Sequence, residues 1–237
     1  MKKLVSTLAI MLIAAPAIAA PSYLKRDSDG GYNVTYDYTD KAKTGWYGTA
    51  RAELSFLNWK NKYSTDYTGV FTEYGSDSYS MEPVFGGSLS VGRRFGYFWR
   101  GEVEAGYIGN FTDKDDGFEF ELSIPYLTAN AYYDFTSGLY VGAGIGAAMP
   151  TTKMDGLYFT DNGNRTHRGF GVDAGVMVGY SHKLDDNFVL DLRYRLAGIS
   201  GVKQTREIMD ATDTYDFQVK TGFIMDNSIS LGIRYEF

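Results

Sequence analysis

Apolar and polar residues alternate over the last eleven positions of the chain, 227–237. One parity is polar or glycine, and the other carries Ile229, Leu231, Ile233, Tyr235 and Phe237. A period of two is typical of a β-strand with one apolar face. Soluble sheets rarely finish with their most apolar strand, because chain ends are usually polar and mobile. The segment therefore predicts a terminal strand with an apolar environment on one side.

The same alternation predicts seven further strands upstream, at about 46–58, 83–92, 99–107, 118–135, 139–149, 168–182 and from 188 onward. In the first of them no charge falls on the apolar parity, whereas Arg51 and Glu53 fall on the other. A basic residue facing lipid at mid-bilayer would cost about 2–4 kcal/mol. Eight strands are enough to close around an interior filled by side chains. The prediction is an all-β protein: a single eight-stranded antiparallel up-and-down transmembrane β-barrel.

Short and long connections alternate between the predicted strands. The short ones are 93–97, 136–138 and 183–187, and the long ones are about 60–81, 110–117, 150–167 and 200–214. In bacterial barrels short turns face the periplasm and long loops face the exterior. Both barrel termini are therefore predicted to be periplasmic, and aromatic residues near the strand ends are predicted to form two interfacial girdles.

The first 44 residues divide into two segments. Residues 1–19 combine Lys2 and Lys3 with an apolar run and a small residue at Ala17 and Ala19, which predicts a cleavable signal peptide. Residues 20–44 are polar and predict a periplasmic lead-in to the barrel, 45–237. Within the lead-in, apolar and polar residues alternate briefly over 32–38. An extra strand, or a segment that lies inside the lumen, is therefore an alternative for these residues. No later apolar run approaches the roughly 18 residues of a spanning helix, so a membrane location requires a closed barrel.

Composition agrees with this prediction. Aromatic residues make up 16% of the chain, with 28 glycines and only 5 prolines, which suits half-buried strands and tight turns. Removing Lys2 and Lys3 with the signal leaves 21 basic and 29 acidic residues, a net charge of −8. This balance argues against nucleic acid as a partner. The absence of cysteine excludes disulfides and thiolate metal sites, and we expect no cofactor.

The chain's end carries a recognisable pattern of polar residue, glycine, hydrophobic residue and terminal aromatic, at Ser230, Gly232, Tyr235 and Phe237. With the export signal, the strand 99–107 and the strand end 130–135, it resembles the small outer-membrane barrels of the opacity-protein and porin-like surface-antigen family, over about 45–237. The resemblance implies insertion into the bacterial outer membrane by the barrel assembly machinery. It also implies contact with outer-membrane lipid and lipopolysaccharide, and a role as surface antigen, adhesin or envelope-stabilising protein.

Twelve charged residues fall on the inward parity of the predicted strands. They are Arg51, Glu53, Arg100, Glu102, Glu104, Asp134, Asp173, Asp191, Arg193, Arg195, Arg234 and Glu236. Buried charges are tolerated when they are paired and hydrogen-bonded. We interpret the set as an ion-pair network that fills and rigidifies a narrow lumen. The alternative is a water-filled path for protons or small ions.

No catalytic or metal site is predicted. The only histidines are His167, in a long loop, and His182, at a strand end. Lipid A deacylase barrels use a His-x-Ser pair on one strand face, but here Ser181 directly precedes His182, so the two point to opposite faces. The acidic stretch 113–117 places its glycine one residue too early for a calcium loop. We expect it to be a solvated tip that contacts lipopolysaccharide through divalent cations.

The first long loop, 60–81, is the most suggestive surface. Its aromatic residues stand among serine, threonine, glycine and aspartate, a mixture that binding loops use, and they are Tyr63, Tyr67, Phe71, Tyr74 and Tyr79. The other reading is that the lower aromatics continue the outer girdle. Two functions stay open: a non-enzymatic barrel that displays loops for adhesion to a host or matrix ligand or for envelope integrity, and a narrow porin-type channel for small ions or solutes.

Overall fold

The computed structural model describes residues 24–26, 32–34, 45–67, 71–96, 98–115, 118–156, 166–210 and 213–237. Within them lie fourteen strands and no helix that could span a membrane. The strands are β1 Leu24–Arg26, β2 Tyr32–Val34, β3 Trp46–Tyr67, β4 Phe71–Phe95, β5 Trp99–Asp115, β6 Phe118–Asp134, β7 Leu139–Ala148, β8 Thr151–Gly156, β9 Thr166–Arg168, β10 Gly171–Lys183, β11 Phe188–Ile199, β12 Val202–Asp210, β13 Asp213–Thr221 and β14 Ile224–Glu236. The predicted signal peptide, 1–19, and most of the lead-in lie outside the described residues.

Eight of these strands close into a ring. Going around, β3 pairs with β14, and β11, β10, β7, β6, β5 and β4 follow, each antiparallel to the next. The pairing of β4 with β3 closes the circle, since Arg51 lies opposite Ser88 on one side and Gly232 on the other. The predicted eight-stranded antiparallel barrel is confirmed.

The two faces of the ring follow the predicted alternation. Side chains of the charged parity are buried in the lumen, whereas large apolar side chains stay exposed outside, among them Phe85, Leu89, Val91, Val103, Leu127, Val141, Ile145, Val172, Val176, Leu192, Leu231 and Ile233. On β3 the outward apolar run extends from Trp46 to Phe56. Ten residue steps cover about 33 Å along a strand, or about 25 Å along the axis of a barrel with a tilt near 40°, which matches the apolar band of membrane barrels.

One end of the ring carries the short turns and the two ends of the barrel chain. The terminal Phe237 donates its amide to the Trp46 carbonyl at 3.0 Å, and Glu236 donates to Asn187 in the turn between β10 and β11 at 2.8 Å. In that turn the Asp185 carboxylate accepts amides from Asn187 and Phe188, which lowers its pKa below the ordinary value. Aromatic side chains surround this end in a belt of Trp46, Phe95, Phe98, Trp99, Tyr133, Phe135, Phe188, Tyr235 and Phe237.

The opposite end differs from the prediction, because the four expected long loops are largely strands. The first flap consists of residues 59–67 of β3, residues 71–79 of β4 and the hairpin β12–β13, which pairs with β3 from Asn61 to Asp66. The second flap consists of residues 111–115 of β5 and 118–122 of β6, together with β8 and β9. The prediction of loops at 60–81, 110–117, 150–167 and 200–214 was therefore wrong for most of their described residues.

A bulge lies at the base of each flap. In β4 an extra residue sits between the pairs Leu57–Glu82 and Trp59–Tyr79, and Met81 there has a φ of 59°. The side-chain Oδ1 of Asn58 accepts a hydrogen bond from the Met81 backbone amide at 3.0 Å and stabilises this conformation. In β5 the register shifts between Ile108 and Phe111. Each bulge inverts the parity above it, as an inserted residue must.

The N-terminal region contributes only a small separate sheet to the described structure. Leu24–Arg26 pairs with Tyr32–Val34 in an antiparallel hairpin that does not join the barrel sheet. Residues 32–34 therefore pair within the lead-in rather than with the barrel. Residues 35–38, the rest of the alternating segment, lie outside the described residues.

Candidate functional site

The centre of the lumen is organised around one arginine. Arg193 on β11 makes a bidentate pair with Glu104 on β5, at 2.7 and 2.8 Å, and reaches Glu53 on β3 at 2.7 Å. Tyr126 places its hydroxyl 3.1 Å from both carboxylates. All four side chains are buried. Bidentate guanidinium–carboxylate pairs are strong and geometrically specific, so this arginine fixes the relative positions of three strands.

A second arginine extends the network toward the turn end. Arg51 holds Glu102 through both terminal nitrogens, at 2.9 and 3.2 Å, and its Nε lies 3.4 Å from Asp191. Tyr140 donates to the same Asp191 oxygen at 3.0 Å. The side chain of Arg51 passes over Gly232, where a Cβ would lie 2.7 Å from Arg51 Cγ. The glycine of the predicted assembly signal therefore also makes room for the ion-pair network in the lumen.

Toward the flaps, Arg195 binds two carboxylates. Its Nη2 lies 2.6 Å from both oxygens of Asp173, and its Nη1 lies 2.9 Å from Asp226. The guanidinium also packs 5.1 Å from the centre of the Tyr126 ring. Each of Arg193, Arg51 and Arg195 thus joins two or more acids.

The turn end of the lumen carries a further set of pairs. Arg94 bridges Asp134 at 3.0 Å and Glu236 at 2.8 Å, and Arg100 reaches the other oxygen of Asp134 at 2.9 Å. Arg234 contacts Glu236 at 3.1 Å. The Arg100 guanidinium makes cation–π contacts with two buried rings, 4.3 Å from the centre of Tyr132 and 4.4 Å from that of Tyr140. Such contacts compensate in part for a charge removed from water.

All twelve lumen charges predicted from the sequence take part in these ion pairs: Arg51, Glu53, Arg100, Glu102, Glu104, Asp134, Asp173, Asp191, Arg193, Arg195, Arg234 and Glu236. Sequence reasoning missed Arg94 and Asp226. Both lie on the inward parity just beyond the predicted ends of their strands, so extending the alternation by a few residues would have found them.

Above the ion pairs, the interior becomes apolar. A cluster of buried residues fills the mouth of the ring beneath the flaps: Leu57, Trp59, Val84, Ile108, Phe120, Leu122, Ile124, Tyr126, Ala148, Ile199, Val219 and Ile224. Seven of its members are less than 2% exposed. We call this set the apolar layer. The sequence analysis did not predict it. Most of these positions fall at the ends of the predicted strands or between them, although Phe120, Leu122, Ile124 and Tyr126 lie within the predicted strand 118–135.

The predicted loop aromatics separate into two groups. Tyr63 and Tyr79 pack against the apolar layer, and Tyr79 stacks on Trp59 with ring centres 4.5 Å apart. The Tyr79 hydroxyl donates to Asp113 of the second flap at 3.2 Å. Burial, together with the neighbouring Tyr63 and the Asp113 carboxylate, raises the pKa of Tyr79. These two side chains are therefore packing residues of the flap base, which corrects their assignment to a free loop.

The other three predicted contacts lie nearer the tip of the first flap. Tyr74 is 79% exposed on β4. Tyr67 and Phe71 oppose each other in the backbone register at the end of the hairpin. Their side chains lie outside the described part of the structure. Tyr74 is thus the described aromatic that the flap presents to solvent.

The histidine geometry follows the predicted parity. Ser181 points into the lumen, where its hydroxyl donates to Asp191 at 3.2 Å. His182 lies on the outer parity and packs near Tyr180. His167 on β9 opposes Thr152 of β8. Within the described residues, no group of three or more potential ligands is placed to hold a metal ion.

Comparison with solved structures identifies the fold. The outer membrane protein OprG from Pseudomonas aeruginosa superposes with a TM-score of 0.51 at 11% identity, covering 84% of this chain and 98% of that one. The chain has the fold of a small outer-membrane β-barrel. Two further structures score lower: Neisserial surface protein A, with 18% identity, 81% and 97% coverage and a TM-score of 0.46, and the protease OmpT from Escherichia coli, with 10% identity, the same coverages and a TM-score of 0.46.

No family model and no curated protein sequence matches the chain. At identities this low, the outer-membrane barrel fold is what the comparison establishes. Such barrels carry different functions on the same scaffold, so the function has to be inferred from the lumen and the flaps.

Proposed function

We propose that this protein is a non-enzymatic, non-conducting barrel of the bacterial outer membrane that displays its two flaps for surface adhesion or envelope integrity. In this proposal the short turns and both barrel termini face the periplasm, and the flaps face the exterior. Residues 1–19 direct export, and the C-terminal pattern ending in Phe237 is read by the assembly machinery.

The observation that carries the proposal is the double closure of the lumen. Ion pairs that cross the barrel fill its centre, and the apolar layer fills the mouth beneath the flaps. An ion would have to displace paired charges and then enter an apolar region without water. Both steps are costly in a low-dielectric interior. These two layers therefore favour a lumen closed by ion pairs over a water-filled path for small ions or solutes.

Electrical recording tests the closed lumen. We expect the folded, signal-free protein to produce no stable stepwise conductance in a planar bilayer, because both layers exclude water. Folding is verified beforehand from the heat-modifiable migration that closed barrels show on gels. A reproducible single-channel step from folded protein would contradict the proposal and would make the lumen charges determinants of selectivity.

In this proposal the first flap makes the contacts with the adhesion ligand. Deleting residues 62–79 removes the exposed Tyr74 with the tip of the hairpin, and also the packing residues Tyr63 and Tyr79. We expect adhesion of expressing bacteria to extracellular-matrix extract and to epithelial monolayers to fall to the level of a strain without the protein. The barrel should still fold, because its eight-stranded ring and its ion pairs are retained.

A point variant separates contact from loss of the flap. Tyr74→Ser removes one exposed ring and leaves the backbone pairing intact, whereas Ser76→Ala serves as a neutral neighbour on the same exposed face. Reduced adhesion for Tyr74→Ser, with normal adhesion for Ser76→Ala, agrees with direct contact. If the deletion variant adheres as well as the natural protein, the first flap is not the adhesive surface.

A further inference from the structure

The outer face of the first flap carries charge in two separate rows. In this flap Trp59, Asn61 and Val219 belong to the parity that is buried, so the alternate positions form the outer face. Near the flap base the backbone register aligns one lysine on each of β3, β13 and β12, and we call this set the basic row: Lys62, Lys220 and Lys203. Four residues further toward the tip it aligns one acid on each of the same strands, the acidic row: Asp66, Asp216 and Glu207.

An uncharged row separates the two charged ones. The register aligns its four members between them, and they are Tyr74, Ser64, Gln218 and Thr205. Four residues cover about 13 Å along a strand, which is too far for the basic row to pair with the acidic row of the same flap. Within each row like charges lie opposite each other on neighbouring strands, which destabilises a sheet. A surface with the reverse order of charge would therefore stabilise both rows.

The order of charge along the flap determines which second copy could face it. A copy in the same membrane presents its rows at the same heights, so that lysines would face lysines. A copy in an opposing membrane is inverted, so that the basic row of each flap faces the acidic row of the other. Opposite charges favour the second arrangement, and like charges exclude the first. The two-fold axis of the favoured pair passes through the uncharged row, where Tyr74 is 79% exposed.

The heights of the rows leave room for this arrangement. Lys62 and Asp66 lie six and ten residues beyond Phe56, where the outward apolar run of β3 ends. These steps correspond to about 15 and 25 Å along the axis of a tilted barrel, so matched rows set the two hydrocarbon surfaces about 40 Å apart. The end of β3 at Tyr67 reaches about 28 Å above its own hydrocarbon surface. The polar layer of the opposing membrane takes up about 5–7 Å, so the strand end fits within the gap.

We propose that the outer face of the first flap recognises a second copy of this protein in an opposing membrane and so joins neighbouring cells. The inference rests on the proposed outward orientation of the flaps. Four strands about 4.8 Å apart and rows that span about 20 Å give an interface of about 400 Å² a side. This is about half of the roughly 800 Å² per partner in stable complexes. Single contacts are therefore weak, and many copies on two apposed membranes act together.

Clustering of phosphatidylcholine vesicles that contain the folded, signal-free protein tests this recognition without any other cell-surface component. Light scattering should rise with time for these vesicles and stay constant for protein-free ones. The variant D66N/D216N/E207Q should cluster at least about tenfold more slowly, because the basic rows then meet no acids. Natural protein that does not cluster, which would leave the face to a different ligand, overturns the proposal. Equal clustering by this variant overturns it as well.

A matched control removes the same amount of charge from the other parity of the flap. Glu73, Asp210 and Asp213 alternate along their strands with the outer-face positions and lie near the same tip. The variant E73Q/D210N/D213N should therefore cluster within about twofold of the natural rate, since the acidic row is complete. An equal loss in both triple variants would show that net charge, and not the acidic row, controls clustering.

Exchange of the two rows separates specific recognition from general attraction. The variant K62E/K203E/K220E/D66K/E207K/D216K has the natural net charge and should cluster by itself within about threefold of the natural rate. In a mixture with natural vesicles of another colour it should cluster only with itself, because its rows meet those of the natural protein with like charges. Clusters of mixed colour, or an exchanged variant that does not cluster although its barrel is folded, would contradict the assignment of the rows.

Orientation on cells is measured separately, so that failure of the proposed function is recognised as such. A Ser76→Cys variant should react with a membrane-impermeant maleimide on intact cells, since the natural chain contains no cysteine. Labelling that occurs only after the outer membrane is disrupted would place the flap in the periplasm. That result would overturn the proposed function together with contact between cells, whereas surface labelling with vesicle clusters of mixed colour overturns self-recognition alone.

Discussion

Replacing Arg193 with methionine should lower the free energy of unfolding by about 3–5 kcal/mol, because it leaves buried carboxylates without their partner. Glu53 and Glu104 each lie 2.7 Å from the guanidinium, and all three side chains are almost fully buried. Urea titration of the protein in lipid vesicles, followed by tryptophan fluorescence, measures the loss. It should be among the largest effects of any single substitution in the chain.

The triple variant R193M/E53Q/E104Q is the matched control for this prediction. It removes the charge of the carboxylates together with that of the arginine, and such replacements of a complete buried ion pair are often close to neutral. We expect it to recover most of the lost stability. If the single and triple variants unfold at the same urea concentration, unpaired charge is not the cause of the loss.

Replacing Leu122 with alanine should lower the free energy of unfolding by about 2–5 kcal/mol, since it removes buried apolar surface and leaves a cavity. Leu122 is 0% exposed, at the centre of the apolar layer. The same urea titration measures the change. Trp59 belongs to this layer, so its fluorescence reports directly on the affected region.

Leu127→Ala is the matched control on the same strand. Leu127 points outward and is 54% exposed on the apolar band, where lipid fills the space that the shortened side chain vacates. We expect a smaller loss there, because the cavity contribution is absent. A smaller loss for Leu122→Ala than for Leu127→Ala would contradict the assignment of the apolar layer as a packed core.

The membrane-spanning part of the fold could be predicted because its two faces meet different surroundings. Leu231 and Ile233 face outward while Arg234 and Ser230 face the lumen, and lipid and lumen together impose this strict alternation. For the same reason every predicted lumen charge was found in an ion pair. The specific partners could not be predicted, because they depend on strand register across the barrel.

The flaps could not be predicted from the same pattern. Beyond the apolar band water reaches the outer face, so residues such as Lys62 and Ser64 give no apolar alternation to detect. The bulges at Met81 and after Ile108 also invert the parity, which turns Tyr79 and Phe111 inward. A period of two counted from the barrel assigns these residues to the wrong face.

The pair between Arg193 and Glu104 has a mechanical consequence. β11 and β5 lie four strands apart in either direction around the ring. The side chains of Arg193 and Glu104, which meet at 2.7 Å, therefore together span the full diameter of the barrel. A tube with such an internal strut keeps a round cross-section when the surrounding membrane compresses it sideways. Hairpins could not be pulled out one after another without first breaking this strut, so the wall should yield to force as a unit.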